Sequence, residues 1–390
     1  MSRLKKKKIC FVINSRANFG RVNVLLKELK KFKNCELQIV LGASSLLYKF
    51  GDISELLKKD KIKVNHKFYS IIEGENLLTM TKSAGYTIAE LSNIFDQMNP
   101  DVVVVLADRF ENLPVAICAS YMNIPLAHIQ GGEITGSIDE KVRHAITKLS
   151  DIHFTSTERS KKFVIRMGEN SKMVFNTGCP SIDLVKKIND KLPLNELSKF
   201  GVGSKLNKSD KYLVVMQHPV TTEINSTTSQ IEETIKAIKI ISKDFNLKIL
   251  WFWPNVDAGN DKISKILRKY RENENPDNLI FIKNLPPKLF IQLLKGCECM
   301  IGNSSSGIRE GSFIGVPYVN IGNRQDGREK CKNVISVRCN STEIIKAVKK
   351  QISKGFYKSN NLYGRGNSSD KIAKLLLKLP LTYVKKINYI

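Results

Sequence analysis

Short apolar runs alternate with amphipathic segments along the first half of the chain. The runs have the length and β-branched composition of buried strands, and the longer segments repeat apolar positions at helical spacing. They predict strands at 9–13, 37–41, 102–106, 125–129, 152–155 and 174–176, and helices at 22–32, 87–98, 113–122, 138–149 and 158–167. Such alternation is typical of a parallel sheet covered by helices.

The second half repeats this pattern. It predicts strands at 212–216, 247–252, 279–282, 299–302, 317–321 and 334–337, and helices at 231–241, 262–271, 288–294, 308–313 and 342–353. A chain of 390 residues is too long for one ordinary core. We therefore expect an α/β fold with two Rossmann-like domains that face each other: 1–185 and 186–365, followed by a helix and tail at 366–390 that can cross back to the first domain.

Charged side chains follow two strands of the first half, at the edge where ligands bind in open parallel sheets. Asp108 and Arg109 come directly after strand 102–106, and we expect the arginine to hold the carboxylate ionised. Glu133 follows strand 125–129 after two glycines that let a ligand approach the backbone. Structural ion pairing is the alternative for both carboxylates, but adjacent strand ends favour a site.

The loop 14–21 joins the first strand to its helix. It contains small residues and Arg16, and an arginine entering a helix can bind a diphosphate with two hydrogen bonds. An arginine on a solvent-facing loop is an equally good explanation.

The helix predicted at 138–149 begins with a capping pattern, Ser137 as the cap and Glu140 three residues on. Asp139 and Arg143 lie one turn apart, and we expect them to pair at the edge of the buried stripe. They are either groups of the site or an ordinary helix-start salt bridge.

Two strands of the second half end in polar residues. His218 follows strand 212–216 before a proline turn, where it can donate to a phosphate or transfer a proton. Asn255 follows strand 247–252 and can bind a nucleotide or a sugar. A structural role is the commoner alternative for a single histidine.

The segment 300–328 has the pattern of an anion site: a strand end, a turn of small polar residues, a helix start and a basic loop that contains Arg324. Small side chains at Ser304, Ser305, Ser306 and Gly307 let a ligand reach unpaired N–H groups where helix 308–313 begins. Glu310 on that helix can accept from a sugar hydroxyl beside the phosphate. The alternative is an ordinary serine-capped turn.

Charge and composition limit the other function classes. Lys and Arg exceed Asp and Glu by 63 to 37, a formal charge of +26, but the lysines are scattered and no nucleic-acid-binding module is present. The five histidines and eight cysteines show no metal-ligand spacing or disulfide framework. No apolar run spans a bilayer or matches a signal peptide. We expect a cytoplasmic protein with no metal, nucleic acid or membrane partner.

Eight motifs in this order resemble the hydrolysing UDP-N-acetylglucosamine 2-epimerases of sialic and nonulosonic acid synthesis. They are NSRANFG, ADRFE, HIQGGEITGSIDEKVRHAITKLS, FNTGCPSIDL, QHPVTTE, WPNVDAG, GNSSSGIREGSFIGVP and NIGNRQDGR. The resemblance covers nearly the whole chain. It implies a glycosyltransferase-B-like fold, with UDP held mainly by the second domain and the sugar in the cleft.

The resemblance also implies roles for individual residues. Asp108 and Asp139 match catalytic carboxylates, and the ligand-binding positions match Arg16, Arg109, Arg143, His218, Asn255, Ser304, Ser305 and Glu310. We add Glu133 and His218 as catalytic candidates. Further substrate-binding candidates are Gln130, Ser306, Gly307 and Arg324.

Gln130 departs from the pattern, because several relatives have a catalytic glutamate there, in HIEGGE. An amide cannot accept a proton at neutral pH. Either Asp108, Asp139 and Glu133 suffice for proton transfer, or the substrate differs from UDP-GlcNAc.

The resemblance thus implies an enzyme that converts UDP-GlcNAc and water to ManNAc and UDP, by elimination to a glycal and then hydration. It needs no cofactor, and from the family we expect a homodimer or homotetramer. The alternatives are a hydrolysing 2-epimerase of a UDP-2,4-diacetamido-2,4,6-trideoxyhexose on the legionaminic-acid route, a non-hydrolysing epimerase, a glycosyltransferase of the same fold, and a nucleotide-sugar sensor without catalysis. RNA binding is supported only by the bulk charge.

Overall fold

The computed structural model describes residues 6–48, 51–74 and 76–388. The chain forms two compact units. The first comprises Met1–Glu133, Ile138–Leu184 and Tyr363–Ile390, and the second comprises Ile134–Ser137 and Val185–Leu362. Each unit has its own sheet and its own apolar core.

The first part of the chain alternates strands and helices. The elements are β1 (Lys7–Ile13), α1 (Arg16–Leu29), β2 (Cys35–Leu41), α2 (Ser54–Lys59), β3 (His66–Lys67), α3 (Leu77–Met98), β4 (Val102–Leu106), α4 (Leu113–Tyr121), β5 (Leu126–Ile129), α5 (Asp139–Leu149), β6 (Ile152–Thr155), α6 (Glu158–Arg166), β7 (Val174–Asn176) and α7 (Ser181–Lys187). The strands lie in the order β3-β2-β1-β4-β5-β6-β7, all parallel. The chain reverses its direction of winding between β1 and β4. In open parallel sheets, ligands bind beside the carboxyl ends of the strands at such a point.

The rest of the chain builds the second sheet and returns to the first unit. The elements are α8 (Leu194–Leu197), β8 (Gly201–Gly203), β9 (Tyr212–Met216), α9 (Thr227–Phe245), β10 (Lys248–Phe252), α10 (Asn260–Glu274), β11 (Leu279–Ile282), α11 (Pro287–Gly296), β12 (Cys299–Gly302), α12 (Arg309–Ile314), β13 (Tyr318–Ile321), β14 (Val334–Val337), α13 (Ser341–Lys354) and α14 (Ser368–Lys378). The strand order is β14-β13-β12-β9-β10-β11-β8, and only the pairing of β8 with β11 is antiparallel among the described pairs.

Helix α14 belongs to the first unit. Its Ile372 and Leu376 are buried in the same core cluster as Phe11 of β1 and Leu25 of α1. The Asp183 carboxylate accepts hydrogen bonds from the first two N–H groups of α14, at 3.0 and 2.6 Å. A buried acid from another segment therefore caps this helix.

Three helix starts differ from the sequence prediction. Helix α1 begins at Arg16, since Ser15 caps it by accepting from the N–H of Asn18, so most of the predicted loop is helical. Helix α3 begins at Leu77 because Asn76 forms a capping box with Thr79, although the first turns carry no apolar stripe. Helix α5 begins at Asp139, one residue later than predicted, and its N-cap residue is Ile138, which is already αR, instead of the predicted Ser137.

Within the described part of the chain, no helix combines the length and the apolar character needed to cross a bilayer.

Candidate functional site

The first unit holds an ion pair directly after β4. Asp108 is buried, and its Oδ2 accepts from Arg143 Nε at 3.2 Å and closely from Nη2. Arg143, on α5, is fully buried and also donates Nη1 to the Glu133 carbonyl oxygen at 2.7 Å and to Glu140 Oε2 at 2.9 Å. Burial opposes the arginine charge, but the negative charges of Asp108 and Glu133 outweigh it and raise the pKa of Arg143.

Arg109, which was expected to hold the Asp108 carboxylate ionised, forms an ion pair with a second carboxylate. Arg109 makes its ion pair with the buried carboxylate of Glu111, with Nε at 3.1 Å from Oε2 and Nη2 at 3.1 Å from Oε1. Glu111 lies on the short 3-10 turn Phe110–Asn112 after β4, and Arg109 is the N-cap residue of that turn, two positions before Glu111. The arginine that bonds the Asp108 carboxylate with two of its nitrogens is Arg143.

A neutral histidine ties the β4 end to α5. His128, on β5, is fully buried; its Nε2 lies 2.9 Å from the Ala107 carbonyl oxygen and its Nδ1 lies 3.1 Å from Thr147 Oγ1. A carbonyl can only accept, so Nε2 carries the proton and Nδ1 accepts from the threonine. Burial lowers the pKa of His128 to about 3, which keeps the ring uncharged at physiological pH.

A tight turn after β5 positions Glu133. Gln130 has φ +71, in the left-handed region, and Gly132 has φ +74. A Cβ on Gly132 would lie 2.2 Å from the Ser160 carbonyl oxygen. The close approach of α6 therefore requires a glycine here. From the sequence, this glycine was predicted to let a ligand approach the backbone.

Arg16 and Asp139 occupy helix starts near this sheet edge. Arg16 is the first residue of α1, and burial lowers the pKa of its guanidinium to about 10, so it stays charged at neutral pH. Asp139 is the first residue of α5, and its charge contributes to raising the pKa of Arg143. Both follow strands of the same parallel sheet, β1 and β5.

In the second unit, the backbone at His218 is fixed by an asparagine. Asn303 Oδ1 accepts from the His218 N–H and Asn303 Nδ2 donates to the His218 carbonyl oxygen, both at 2.8 Å. His218 Nδ1 accepts from the Asn255 N–H at 3.3 Å, so the neutral ring carries its proton on Nε2. Nε2 is thereby the atom with which His218 can donate to an anion.

The turn after β12, where an anion site was predicted, is a 3-10 turn followed by a short helix. Ser305–Gly307 form a 3-10 turn, and α12 is a short helix, Arg309–Ile314. The N–H groups of Ser306, Gly307 and Ile308 are engaged by Ser304 Oγ, Ser304 O and Ser305 O, at 3.4, 3.3 and 3.1 Å. These three N–H groups are thus engaged within the turn. The hydroxyls remain as candidate ligands.

Gly307 is small for another reason than ligand approach. A Cβ there would lie 2.6 Å from the ring of Tyr318, whose hydroxyl is within 2.9 and 3.0 Å of the Gly302 and Ser304 carbonyl oxygens. Glu310 is buried, and its Oε2 has no partner among the described residues, so this oxygen can accept from a ligand hydroxyl.

Arg324 lies beside the same strand end. Its Nη1 donates to the Asn303 carbonyl oxygen at 3.2 Å, and its Nη2 lies 3.9 Å from Asp257 Oδ2. His218, Asn255, Asn303 and Arg324 thus form one connected group at the ends of β9, β10 and β12.

Several supporting residues were not predicted from the sequence. They are His128, which fixes the β4 end; Glu111, the partner of Arg109; Asn303, the partner of the His218 backbone; and Tyr318, beneath the serine turn. Only Asn303 carried a signal, because it too directly follows an apolar strand. In the described residues, no group of three or more His, Cys, Asp or Glu side chains could hold a metal ion.

The chain is similar to known proteins over most of its length. A family profile described as UDP-N-acetylglucosamine 2-epimerase matches residues 27–377. The hydrolysing UDP-N,N'-diacetylbacillosamine 2-epimerase of Legionella pneumophila is 33% identical over 96% of this chain and 97% of its own. The hydrolysing GDP/UDP-N,N'-diacetylbacillosamine 2-epimerase of Campylobacter jejuni is 34% identical over 90% of this chain and 89% of its own.

A solved structure extends the likeness to the fold. UDP-GlcNAc 2-epimerase from Neisseria meningitidis, bound to UDP-GlcNAc, superposes with a TM-score of 0.77 at 19% identity, covering 95% of this chain and 100% of that chain. The predicted fold class, two Rossmann-like α/β domains of glycosyltransferase-B type, is confirmed. With the family profile spanning most of the sequence, the chain belongs to the UDP-N-acetylglucosamine 2-epimerase family.

Proposed function

We propose that the protein is a hydrolysing 2-epimerase that acts on UDP-N,N'-diacetylbacillosamine and releases UDP and 2,4-diacetamido-2,4,6-trideoxymannose for nonulosonic acid synthesis. This substrate is the 2,4-diacetamido-2,4,6-trideoxyhexose alternative considered from the sequence. It takes precedence over UDP-GlcNAc because relatives at 33% and 34% identity carry that activity in their names.

One observation carries the proposal: the Asp108 carboxylate is held on the fully buried Arg143 at the end of β4, next to β5 and Glu133. A carboxylate fixed in this way can take the C2 proton of a bound sugar. The C1–O bond then breaks, its electron pair leaves with UDP, and C1 and C2 become doubly bonded in a glycal.

Hydration completes the reaction. Water adds its hydroxyl to C1, and a proton reaches C2 from the face opposite to the one deprotonated, which inverts that centre. Two proton-transfer groups are needed on opposite faces. We assign them to Asp108 and Asp139, with Glu133 as the supporting carboxylate. Because the roles of coupled carboxylates need not divide cleanly, the pair is assigned as a unit.

The departing diphosphate requires positive and hydrogen-bonding groups. In the second unit, His218 Nε2, the hydroxyls of Ser304 and Ser305, and Arg324 can supply them, with Asn255 holding the His218 ring. Glu310 is assigned to a hydroxyl of the nucleotide sugar. Arg16, of the first unit, is assigned to the diphosphate. The proposal thus assigns the sugar chemistry to the first unit and most of the contacts to UDP to the second.

UDP-GlcNAc, with ManNAc as product, is the second candidate, supported by the description of the family profile. A competition assay separates the two. Equal concentrations of both UDP-sugars are mixed with the enzyme, and their phosphorus signals and the released sugars are followed by NMR.

We expect the diacetamido sugar to be consumed first, with kcat/KM at least about tenfold higher. Preferential release of ManNAc would reverse the assignment. Intact UDP-ManNAc would indicate a non-hydrolysing epimerase. Absence of turnover of both UDP-sugars would refute the epimerase proposal and favour a transferase or a sensor.

A further inference from the structure

The Gln130 side chain is held in one orientation by two neighbours. Arg21 Nη1, on α1, donates to Gln130 Oε1 at 3.2 Å, and Gln130 Nε2 donates to Cys179 Sγ at 2.8 Å. Turning the amide over would set its NH2 group against the guanidinium, donor facing donor. The two contacts therefore select a single amide orientation.

Cys179 can accept this hydrogen bond because the thiol can donate its own proton to another residue. The sulfur lies 2.9 Å from Ser181 Oγ, at the start of α7. A thiol has one proton, so all three groups are satisfied when Gln130 donates to the sulfur and the thiol donates to the serine. The Cys179 backbone is fixed as well, since its N–H donates to the Tyr363 carbonyl oxygen at 2.7 Å.

One hydrogen of the amide remains. Gln130 is fully buried, and among the described residues its second Nε2 hydrogen has no acceptor. A buried donor without an acceptor is costly, and the left-handed backbone of this residue, φ +71, adds strain. Both costs fall at a strand end that carries the candidate carboxylates, where a ligand acceptor can complete the amide.

We propose that Cys179 is a positioning residue: it orients the Gln130 amide so that the remaining N–H binds the carbonyl oxygen of an acetamido group on the substrate. The inference rests on the proposed function, whose sugars all carry such a group. It gives Gln130 a role in recognition at a position where a carboxylate would instead offer only acceptors.

A kinetic cycle tests the Cys179 part. Cys179→Ala should lower kcat/KM about tenfold or more, since misplacing a substrate contact is costly, and Cys179→Ser, which keeps an acceptor, should recover most of this loss. In a Gln130→Met background, Cys179→Ala should cost nothing further, because the cysteine acts through Gln130. Cys118→Ala, which removes another buried thiol of the first unit, should leave turnover unchanged.

Additive losses in the cycle, or wild-type kinetics for Cys179→Ala, would overturn the inference. Folding is checked by circular dichroism, and if Cys179→Ala does not fold, Cys179→Val, which fills the space without an acceptor, replaces it. Absence of turnover of any UDP-sugar by the wild type is a different result, which defeats the proposed function itself.

Binding tests the recognition part without turnover. In an Asp108→Asn background, affinities for UDP-GlcNAc and UDP-glucose are measured by calorimetry with and without Gln130→Met. The substitution should weaken the binding of UDP-GlcNAc about tenfold, the cost typical of a lost hydrogen bond. The affinity for UDP-glucose, which lacks the acetamido group, should be unchanged. Equal weakening of both ligands would contradict the assignment.

Discussion

Arg143 connects three parts of the candidate site through one guanidinium. It bonds the Asp108 carboxylate, the Glu133 carbonyl oxygen and the Glu140 carboxylate while fully buried. A planar group with five donors suits this geometry, and a lysine ammonium would not reproduce it. The charge of Asp108 and the course of the backbone at Glu133 therefore depend on the same side chain.

Removing this guanidinium should lower the stability of the folded protein. Arg143→Met leaves the buried Asp108 without its cation, and we expect the free energy of unfolding to fall by about 3–5 kcal/mol in urea titrations. Arg338→Met is the matched control, since Arg338 pairs with Glu343 at an exposed position and its loss should have little effect. Equal losses for the two variants would contradict the importance assigned to the buried pair.

His128 makes stability depend on pH. The unfolded state binds a proton near pH 6.5, whereas burial lowers the pKa of the folded residue to about 3, so the unfolded state holds more protons between these values. Stability from this residue is therefore present above pH 6.5 and lost as pH falls.

Between pH 7 and pH 5, the wild type should lose about 2 kcal/mol more unfolding free energy than His128→Asn, which does not titrate there. Urea titrations at the two pH values measure this difference. Parallel losses in the two proteins would show that His128 is protonated equally in both states.

The turn from Gln130 to Glu133 is set by packing of helices against it. Gly132→Ala would combine φ +74 with a Cβ 2.2 Å from the Ser160 carbonyl oxygen, so we expect a loss of at least about 2 kcal/mol in unfolding free energy. Gly85→Ala, on α3, meets nothing within 4 Å and should stabilise by about 0.5–1 kcal/mol. A tolerated Gly132→Ala would contradict the described turn.

Local sequence signals located the strand ends but not the partners found there. Asp108 and His218 were predictable because each directly follows an apolar strand. The pairing of Asp108 with Arg143, 35 positions further along the chain, depends on how α5 packs against the sheet, which no local pattern encodes. The contact of Gln130 with Cys179 joins residues separated by 49 positions, for the same reason.

Helix starts show a second limit of the sequence pattern. Apolar periodicity placed the start of α3 too late, since the first turns expose Leu77 and Leu78 and are fixed by the cap at Asn76. Likewise, the serine turn before α12 has the composition of an anion site, but the N–H groups of Ser306, Gly307 and Ile308 are used within the turn. Composition reports which residues are available, whereas hydrogen bonding decides which remain for a ligand.

The chain closes its first unit with its own C-terminal part. Ile372, Ala373 and Leu376 of α14 complete the core beside β1 and α1, and the buried Asp183 caps this helix. Residues at opposite ends of the sequence therefore contribute to one core. The stability of the first unit should depend on this cap.

Asp183→Ala should lower the unfolding free energy by about 2 kcal/mol, because two buried N–H groups lose their acceptor. Asp370→Ala, on the same helix, breaks an exposed pair with Lys374 and should cost about 0.3–0.5 kcal/mol. Hydrogen exchange at α14 locates the effect. Similar exchange rates in the two variants would argue against a capping role for Asp183.

In the proposed reaction, the protein inverts C2 of a UDP-sugar while hydrolysing it, and Asp108 takes part in the proton transfer. The most direct test is NMR of the enzyme with UDP-N,N'-diacetylbacillosamine in D2O, following the phosphorus signals and the C2 proton beside an Asp108→Asn control. We expect UDP and a free manno-configured sugar deuterated at C2, with turnover lost in the control by at least about 1,000-fold. Release of a sugar that retains its C2 proton, or undiminished turnover by Asp108→Asn, would contradict the account.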